Sequence, residues 1–344
     1  KIAIANKESI ICGWNLINKE LKKNKTQFIP VDSEHFSLWY GLQNLKIKNI
    51  EELYLTASGG PFNNLSLNKF KNIKINQALK HPNWKMGKKI SIDSATMINK
   101  VFEVIEARNI FDINYKKIKI LIHPKSYVHA IIKFDNGLTK IIAHDTTMKV
   151  PIFNTLYLDN DKKLKSNTID INSLNNLNLN NIELKRFPMI KLLNFLPSKN
   201  SLFETVIVSA NDTLVELFLN NKIRFVDIQK KLFKIINQKK FLKFKNKHPT
   251  KIKENTPTRN INLTTLNSFQ TNTHYLFILF EINSSTTEGS AKVDVSPRFE
   301  KSFSAIFLSI RLIIFPDRVF GSPGAHWIKS GLAIGPISLR THFS

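Results

Sequence analysis

Cysteine, glycine and long apolar runs are all scarce in this chain of 344 residues. The single cysteine, Cys12, excludes a disulfide framework and a multi-thiol metal site, and it is compatible with a reducing compartment. The sequence has eleven glycines, of which only Gly59 and Gly60 are adjacent. The G-x-G-x-x-G turn of dinucleotide-binding proteins occurs nowhere in it. The longest apolar run, 303–315, contains Arg311 and is too short to cross a bilayer.

Acidic residues are also few, with 26 Asp and Glu against 51 Lys and Arg, which gives a formal net charge of +25. The lysines are scattered among Asn, Ile and Leu, as in 162–183 and 230–253, and this pattern is typical of a coding bias. No zinc-finger spacing, aromatic strand motif or basic heptad accompanies the charge. The charge is therefore attributed to coding bias, and no nucleic-acid partner is predicted. A basic nucleic-acid-binding protein is the alternative.

Short apolar strands alternate with helical patterns, which predicts an α/β fold. Residues 1–5 are typical of the end of a buried strand, and the helical spacing of Ile10, Trp14 and Leu21 follows. Because the chain opens inside a folded unit without Met, we expect that an N-terminal part precedes it. A helix is predicted over 94–109.

Two further regions have a clear pattern. Strands 118–122 and 127–134 are predicted to pair with each other, with a turn at 135–137. Helical periodicity runs through 206–245, which predicts a small helical domain.

A break in composition falls near 284, because no asparagine and only three lysines follow it. The segment 284–344 is therefore interpreted as a tail of foreign or non-coding origin.

Acidic residues follow the predicted strand at 28–31. If the extended backbone continues, Asp32 and Glu34 project to one side, although such a pair is commonly a solvated surface feature. In the segment 91–103, Asp93 or Ser94 is a candidate helix N-cap, and Asn99 and Glu103 lie four residues apart with Lys100 beside them. A serine at a helix start together with Asn and Lys suits a phosphate, and Glu103 is a candidate third carboxylate for a divalent cation. An amphipathic surface helix is the alternative.

Two loops are hard to explain as scaffold. The turn 58–62 offers Ser58 between flexible residues, and the loop 81–87 carries His81 and an exposed Trp84. Together they are predicted to bound a mobile lid. Three other histidines are interpreted as surface or core residues without a catalytic role: His35, His129 and His144.

Six motifs in order resemble the 1-deoxy-D-xylulose-5-phosphate reductoisomerase family. They are the segments 5–9, 30–35, 56–62, 81–100, 103–107 and 122–126, and the resemblance extends over about 1–245, including 209–212 and 223–228. It implies an α/β fold with the remnant of a Rossmann-like NADPH domain, an α/β catalytic domain and a C-terminal helical domain. The implied divisions are the end of the NADPH domain at 1–30, the catalytic domain at 31–158 with a lid at 58–87, a linker at 159–205, the helical domain at 206–283 and the tail at 284–344.

The resemblance also implies the site. The metal (Mg, Mn or Co) would be held by Asp32, Glu34 and Glu103. The substrate would meet Lys7, Ser33, Glu34, Ser58, His81, Trp84, Ser94, Asn99, Lys100 and Glu103, and the catalytic groups would be Glu34, Lys7 and His81, with Glu34 transferring the proton. NADPH would touch Asn6, Glu8 and Gly87.

The family's reaction is isomerisation of a phosphosugar followed by reduction of the resulting aldehyde by NADPH, in non-mevalonate isoprenoid synthesis. The family carries a glycine-rich cofactor turn ahead of the motif at 5–9, so we expect this chain alone to bind substrate and metal without holding NADPH in the family's manner. An inactive remnant or fusion is the alternative. A homodimer is implied, and the expected location is the cytoplasm of a bacterium or endosymbiont, or a plastid-like organelle, without a membrane partner.

Overall fold

The computed structural model describes residues 1–158, 161–249 and the short strand Ile313–Ile314. The rest of the predicted tail, and 250–283 of the predicted helical domain, lie outside the described residues. No helix in the part that is described is long and apolar enough to cross a membrane.

The chain begins with a strand–helix–strand unit. Strand β1 (Ile2–Ile4) leads into helix α1 (Lys7–Lys23) and then into β2 (Phe28–Pro30), which pairs parallel with β1. The apolar face of α1 is buried as its spacing predicts, and Asn6 caps its first turn by accepting from the Ser9 backbone N–H. Strand β8 (Ile313–Ile314) pairs antiparallel with the other edge of β1.

A second sheet has five strands in the order β6-β5-β3-β4-β7. Its strands are β3 (Ile50–Ala57), β4 (Ile118–Ile122), β5 (Val128–Phe134), β6 (Thr139–Ala143) and β7 (Asn180–Asn181). The predicted pairing of 118–122 with 127–134 is wrong, because β3 lies between them, parallel to β4 and antiparallel to β5. Leu53 and Leu55 are fully buried, as expected for a central strand. The predicted turn at 135–137 instead joins β5 to β6, with Gly137 at φ 84°.

Nine α-helices follow α1 in the part of the chain that the structure describes. They are α2 (Ser33–Gly41), α3 (Ile75–Ala78), α4 (Lys88–Thr96), α5 (Ile98–Phe111), α6 (Lys149–Leu156), α7 (Ile171–Asn175), α8 (Leu202–Leu219), α9 (Phe225–Ile236) and α10 (Lys239–Leu242). The single helix expected over 94–109 is divided, because Met97 takes a left-handed conformation at φ 66° between α4 and α5. Each half can therefore point in its own direction.

One hydrophobic cluster joins the middle of the chain to its helical part. It includes Ile92 and Phe102 from α4 and α5 and Ile207 and Ile228 from α8 and α9. The helices predicted over 206–245 are present, and they share this core with the preceding elements.

The same core also includes residues of two segments that were expected to be a linker and a mobile lid. A 3₁₀ helix, Pro188–Phe195, buries Leu192, so the expected linker 159–205 contains packed structure. Within the expected lid 58–87, Phe62 and Ala78 are buried in the cluster, so the middle of that segment is anchored. That the segment 58–87 acts as a mobile lid stays a prediction.

Candidate active site

Asp32 and Glu34 lie where β2 gives way to α2. The expected extended geometry is wrong, because Asp32 is the N-cap of α2 and its carboxylate accepts from the Glu34 backbone N–H at 3.3 Å. A carboxylate is well suited to this position, where the first helical N–H groups have no partner. The buried Ser33 hydroxyl donates to Glu34 Oε2 at 2.5 Å, which orients the second carboxylate.

Helix α5 brings Glu103 to the same place. Asn99, one turn earlier, donates to Glu103 Oε1 at 2.5 Å, so the predicted shared face is confirmed. The buried Lys100 ammonium pairs with Glu103 Oε2 and with Glu34 Oε1, the latter at 2.7 Å. The contact joins α5 to the first turn of α2.

The three carboxylates predicted to bind a metal converge. Asp32, Glu34 and Glu103 each offer an oxygen, and these oxygens all lie within 4.8 Å of one another. Hard divalent cations such as Mg²⁺ take carboxylate oxygens as ligands. The donor set therefore fits the metal that the sequence implies.

Lys7, the first residue of α1, balances much of this negative charge. Its ammonium lies 3.0 Å from Asp32 Oδ2, 3.4 Å from Glu103 Oε1 and 3.4 Å from Glu106 Oε2, and the residue is only 7% exposed. A buried carboxylate is tolerated only where cations or hydrogen bonds compensate it. Lys7 thus links the N-terminal strand–helix–strand unit to the carboxylates of α2 and α5.

The carboxylates differ in how easily they ionise. Burial opposes the charge of Asp32, but Lys7 and His35 hold its pKa well below the usual value. For Glu34, Lys100 outweighs burial and lowers the pKa. For Glu103, burial and the neighbouring Glu34 raise the pKa in spite of the two lysines. The cluster therefore combines two carboxylates with lowered pKa values and one with a raised pKa.

His35 and Glu106 belong to the cluster, although sequence reasoning treated His35 as structural and passed over Glu106. His35 Nδ1 faces Asp32 Oδ1 at 3.1 Å and Nε2 faces the Glu103 carbonyl oxygen at 2.8 Å. Both partners only accept, so both ring nitrogens carry protons, in line with a pKa of His35 that is raised to about 9 by Glu106 and Asp32 against the effect of burial. An imidazolium has no lone pair for a metal, which argues against Asp32, His35 and Glu106 as a second ion site despite their proximity.

Burial raises the pKa of Glu106 to about 7. Its Oε2 lies at ion-pair distance from Lys7 and His35 without a hydrogen bond of good geometry. The signal that could have found both residues is spacing: His35 follows Asp32, and Glu106 follows Glu103, by three positions.

Ser58 and His81 form a second group at the end of β3. Ser58 Oγ lies 3.1 Å from His81 Nε2 and accepts from the Gly60 backbone N–H at 3.0 Å. Gly60 has φ 61°, and a Cβ built on it would lie 3.0 Å from the Ser94 carbonyl oxygen, so glycine allows this turn to approach α4 closely. Trp84, expected to be exposed, is partly buried.

Ser94 is placed differently from the prediction. It lies in the last turn of α4, whose N-cap is Gly87, so it does not sit at a helix start. The argument from free backbone N–H groups at Ser94 is therefore wrong, because the helix begins six residues earlier than its apolar spacing suggested. The backbone of Ser94 lies against Gly60, whose N–H donates to Ser58 Oγ.

Of the residues expected to touch NADPH, Asn6 and Glu8 lie at the start of α1, and Gly87 lies at the start of α4. Glu8 Oε1 pairs with Lys89 at 2.6 Å, and Lys89 also pairs with Asp93 at 2.9 Å and Asp212 at 3.1 Å. Sequence reasoning missed this network, which ties α1, α4 and α8 together. Gly87 is exposed, and a Cβ there would meet nothing within 4 Å.

Comparison with known proteins gives one family throughout. A family model described as the 1-deoxy-D-xylulose 5-phosphate reductoisomerase C-terminal domain matches residues 28–111, and a second, the DXP reductoisomerase C-terminal domain, matches 145–261. The reductoisomerase of Pelagibacter ubique is 66% identical over 253 residues, which cover 74% of this chain and 65% of that protein. That of Clostridium kluyveri is 39% identical over 237 residues, 69% of this chain and 62% of the relative.

Solved structures agree. The reductoisomerase of Zymomonas mobilis in complex with NADPH matches with a TM-score of 0.61 and 31% identity over 68% of this chain and 61% of that one. A reductoisomerase in complex with NADPH, fosmidomycin and magnesium matches with a TM-score of 0.62 and 32% identity, over 70% of this chain and 62% of that one. The chain thus spans slightly less than two thirds of the length of these proteins.

Proposed function

The chain belongs to the 1-deoxy-D-xylulose 5-phosphate reductoisomerase family, and from this premise we propose that it serves the conversion of 1-deoxy-D-xylulose 5-phosphate into 2-C-methyl-D-erythritol 4-phosphate. The reaction consists of an isomerisation of the carbon skeleton and a reduction by NADPH. The observation that carries the proposal is the convergence of Asp32, Glu34 and Glu103 between two buried lysines. Such a site can hold a divalent cation and a polyhydroxylated anion together.

The metal, Mg²⁺, Mn²⁺ or Co²⁺, would be held by Asp32, Glu34 and Glu103. When bound, it would supply positive charge that stabilises an enediolate oxygen during isomerisation. Glu34 is the proposed proton-transfer group. Its carboxylate is already oriented by Ser33 and Lys100, and its lowered pKa keeps it available as a base.

The remaining residues would bind the substrate. Lys7, Ser33 and Glu34 would face the sugar hydroxyls, and the phosphate would lie among Ser58, Ser94, Asn99 and Lys100 with His81 and Trp84 beside it. The raised pKa of Lys100, which Glu103 and Glu34 cause against the effect of burial, keeps this residue cationic for an anionic ligand. Burial, and after it Lys100, lower the pKa of His81 to about 4.

NADPH would meet this chain at Asn6, Glu8 and Gly87. These residues offer contacts to one end of the cofactor, and the glycine-rich turn that holds a pyrophosphate is not among the 344 residues. A cytoplasmic homodimer is proposed as well.

The test is calorimetric titration with fosmidomycin in the presence and absence of Mg²⁺. We expect binding that depends on the metal, and we expect Glu103→Gln to abolish this dependence. Glu51→Gln, which removes an exposed carboxylate paired with Lys133, is the matched control and should bind as the parent chain does. Metal-independent binding, or none, would contradict the proposal.

Turnover tests the remnant alternative. The 344 residues joined to the glycine-rich cofactor domain of a relative should oxidise NADPH when 1-deoxy-D-xylulose 5-phosphate and Mg²⁺ are added. A chimera that binds both ligands and remains inactive would favour a catalytically dead remnant.

A further inference from the structure

A cavity of about 400 Å³ opens between the C-terminal half of α1, the start of β2 and the C-terminal ends of α2 and α5. It lies at the boundary between two hydrophobic clusters. Trp14 and Leu21 belong to the cluster of the N-terminal strand–helix–strand unit, and Phe111 belongs to the cluster of the five-stranded sheet. Ile110 packs against both clusters. The cavity is therefore a gap where two packed units meet, which is a common place for a ligand pocket.

The cavity lies apart from the candidate active site, although the same three helices contribute to both. The carboxylate cluster is contacted by the first residue of α1, the first turn of α2 and the middle of α5, whereas later turns of each helix line the cavity. Since an α-helix rises about 1.5 Å per residue, Lys22 lies roughly 22 Å along α1 from Lys7. None of the described residues that line the cavity belongs to the candidate active site.

The apolar part of the lining is rich in aromatic rings. Four aromatic side chains line the cavity: Trp14, Phe28, Trp39 and Phe111. Trp14 and Phe28 meet edge to face, with their ring centroids 5.0 Å apart. Phe28 and Trp39 are only partly buried, so surface of both residues remains accessible. A flat aromatic ligand packs well on such rings, and because about 150 Å³ is enough for benzene, a volume of about 400 Å³ suits two or three fused rings.

The polar part of the lining carries positive charge. Lys22 and Lys25 lie at the C-terminal end of α1, and no carboxylate occurs among the described residues that line the cavity. Within 1–158 and 161–249 their ammonium groups make no ion pair and no contact with an aromatic ring, whereas the neighbouring Lys23 pairs with Glu20 at 3.9 Å. Asn18, one turn before Lys22, adds an amide that can donate or accept. This set of side chains is complementary to an anionic group.

The last carbonyl groups of α1 do not counter this charge. The Leu21 carbonyl oxygen accepts from the backbone N–H of Thr26 at 2.9 Å, and the Lys22 carbonyl oxygen accepts from that of Lys25 at 3.3 Å. Lys25 takes a left-handed conformation at φ 48° in this turn. Because these acceptors are occupied, the end of the helix offers a ligand ammonium groups and no bare carbonyl oxygen at these two positions.

We propose that this cavity is an accessory binding site for an organic anion with a flat aromatic body of two or three fused rings. The rings lie among the aromatic side chains, and the anionic group, a carboxylate, sulfonate or phosphate, lies at Lys22 and Lys25. A ligand bound there touches α1, α2 and α5 together, and so it stabilises the packing of the strand–helix–strand unit against the rest of the chain. The proposal does not depend on the proposed function, because it uses none of the residues of the candidate active site.

Calorimetric titration with 2-naphthoate in metal-free buffer tests the proposal, with the neutral 2-naphthalenemethanol as the matched ligand. We expect the anion to bind more tightly than the alcohol. Lys22→Gln and Lys25→Gln should each weaken binding of the anion by roughly two- to fivefold, as for an exposed ion pair, and should leave binding of the alcohol unchanged.

Lys19→Gln is the control, because Lys19 is an exposed lysine of the same helix that does not line the cavity. It should bind 2-naphthoate as the parent chain does. An equal loss in all three variants would show that the net charge of +25 attracts the anion without a defined site, and it would overturn the proposal. The absence of binding to the parent chain, or equal affinity for the anion and the alcohol, would overturn it as well.

Nitrogen NMR of the tryptophan-labelled chain locates the bound probe. The indole signals of Trp39 and Trp84 are assigned by their absence in Trp39→Phe and Trp84→Phe. On addition of 2-naphthoate the Trp39 signal should shift, and the Trp84 signal, from the loop 81–87, should stay in place. A shift of Trp84 without a shift of Trp39 would place the anion in the candidate active site and refute the inference.

Discussion

Replacement of Lys7 by methionine removes the cation that the buried Glu103 and Glu106 share with the partly buried Asp32. Within 1–158 and 161–249, the cations that would still pair with Asp32, Glu103 and Glu106 are Lys100 and His35. Removing one partner of a buried ion pair costs about 3–5 kcal/mol, because the remaining charge is left without compensation. We therefore expect Lys7→Met to lower the free energy of unfolding by about that amount at pH 8 in metal-free buffer.

The loss should depend on pH, and the sign follows from the carboxylates. The pKa of Glu106 is about 7 and that of Glu103 is raised, so near pH 5 Glu106 is largely protonated and needs no cation. Lys7 itself has a raised pKa, so its stabilising charge is present throughout this range. The destabilisation should therefore be smaller at pH 5 than at pH 8.

Urea unfolding at the two pH values, with and without Mn²⁺, measures both effects. A bound divalent ion supplies the charge that Lys7 no longer provides, so the ion should stabilise Lys7→Met more than the parent chain. Lys133→Met, which breaks an exposed pair with Glu51, serves as the control and should leave the unfolding midpoint unchanged. A Lys7→Met variant as stable as the parent at pH 8, or equally destabilised at both pH values, would refute the reasoning.

Three further predictions concern other parts of the molecule. Burial raises the pKa of Glu204 to about 7, so ionisation of this side chain opposes folding as the pH rises from about 4.5 to 7. The variant Glu204→Gln should therefore be more stable than the parent chain in urea titrations at pH 8, but not at pH 5. Gly60→Ala should destabilise the chain more than Gly137→Ala, since both have positive φ but only the first meets a backbone atom at 3.0 Å, and equal thermal shifts would contradict this. Fluorescence of Trp84 should change when fosmidomycin and Mg²⁺ bind, and an unchanged spectrum at saturation, assessed against a Trp84→Phe reference, would argue against movement of the loop.

Local patterns predicted some elements well. The apolar spacing of Ile10, Trp14 and Leu21 predicted α1, and the four-residue spacing of Asn99 and Glu103 predicted their contact. Both relations lie within one helix, where geometry follows directly from sequence separation. The convergence of Asp32 with Glu103 was carried by the family resemblance, because it depends on how α2 and α5 pack.

The errors have several physical causes. Strand pairing failed because β3 inserts between β4 and β5, a long-range choice that no local pattern records. The helix start at Lys88 was missed because α4 begins with polar residues, and the break at Met97 because a methionine is an unusual residue in the left-handed region. His35 and Glu106 were undervalued because their importance comes from burial beside other charges.

The first turn of α1 limits which mutations this chain can accept. Asn6 caps the helix, Lys7 binds the carboxylate cluster and Glu8 pairs with Lys89. Three successive residues thus make three different sets of contacts. A residue inserted just after Lys7 would turn the following helix by about 100° relative to it and carry Glu8 away from its partner. Substitutions on the exposed side of α1, at Lys19 or Lys22, leave these contacts untouched. Mutational tolerance along this one helix should thus fall from its C-terminal end to its beginning, with changes of length the least tolerated of all.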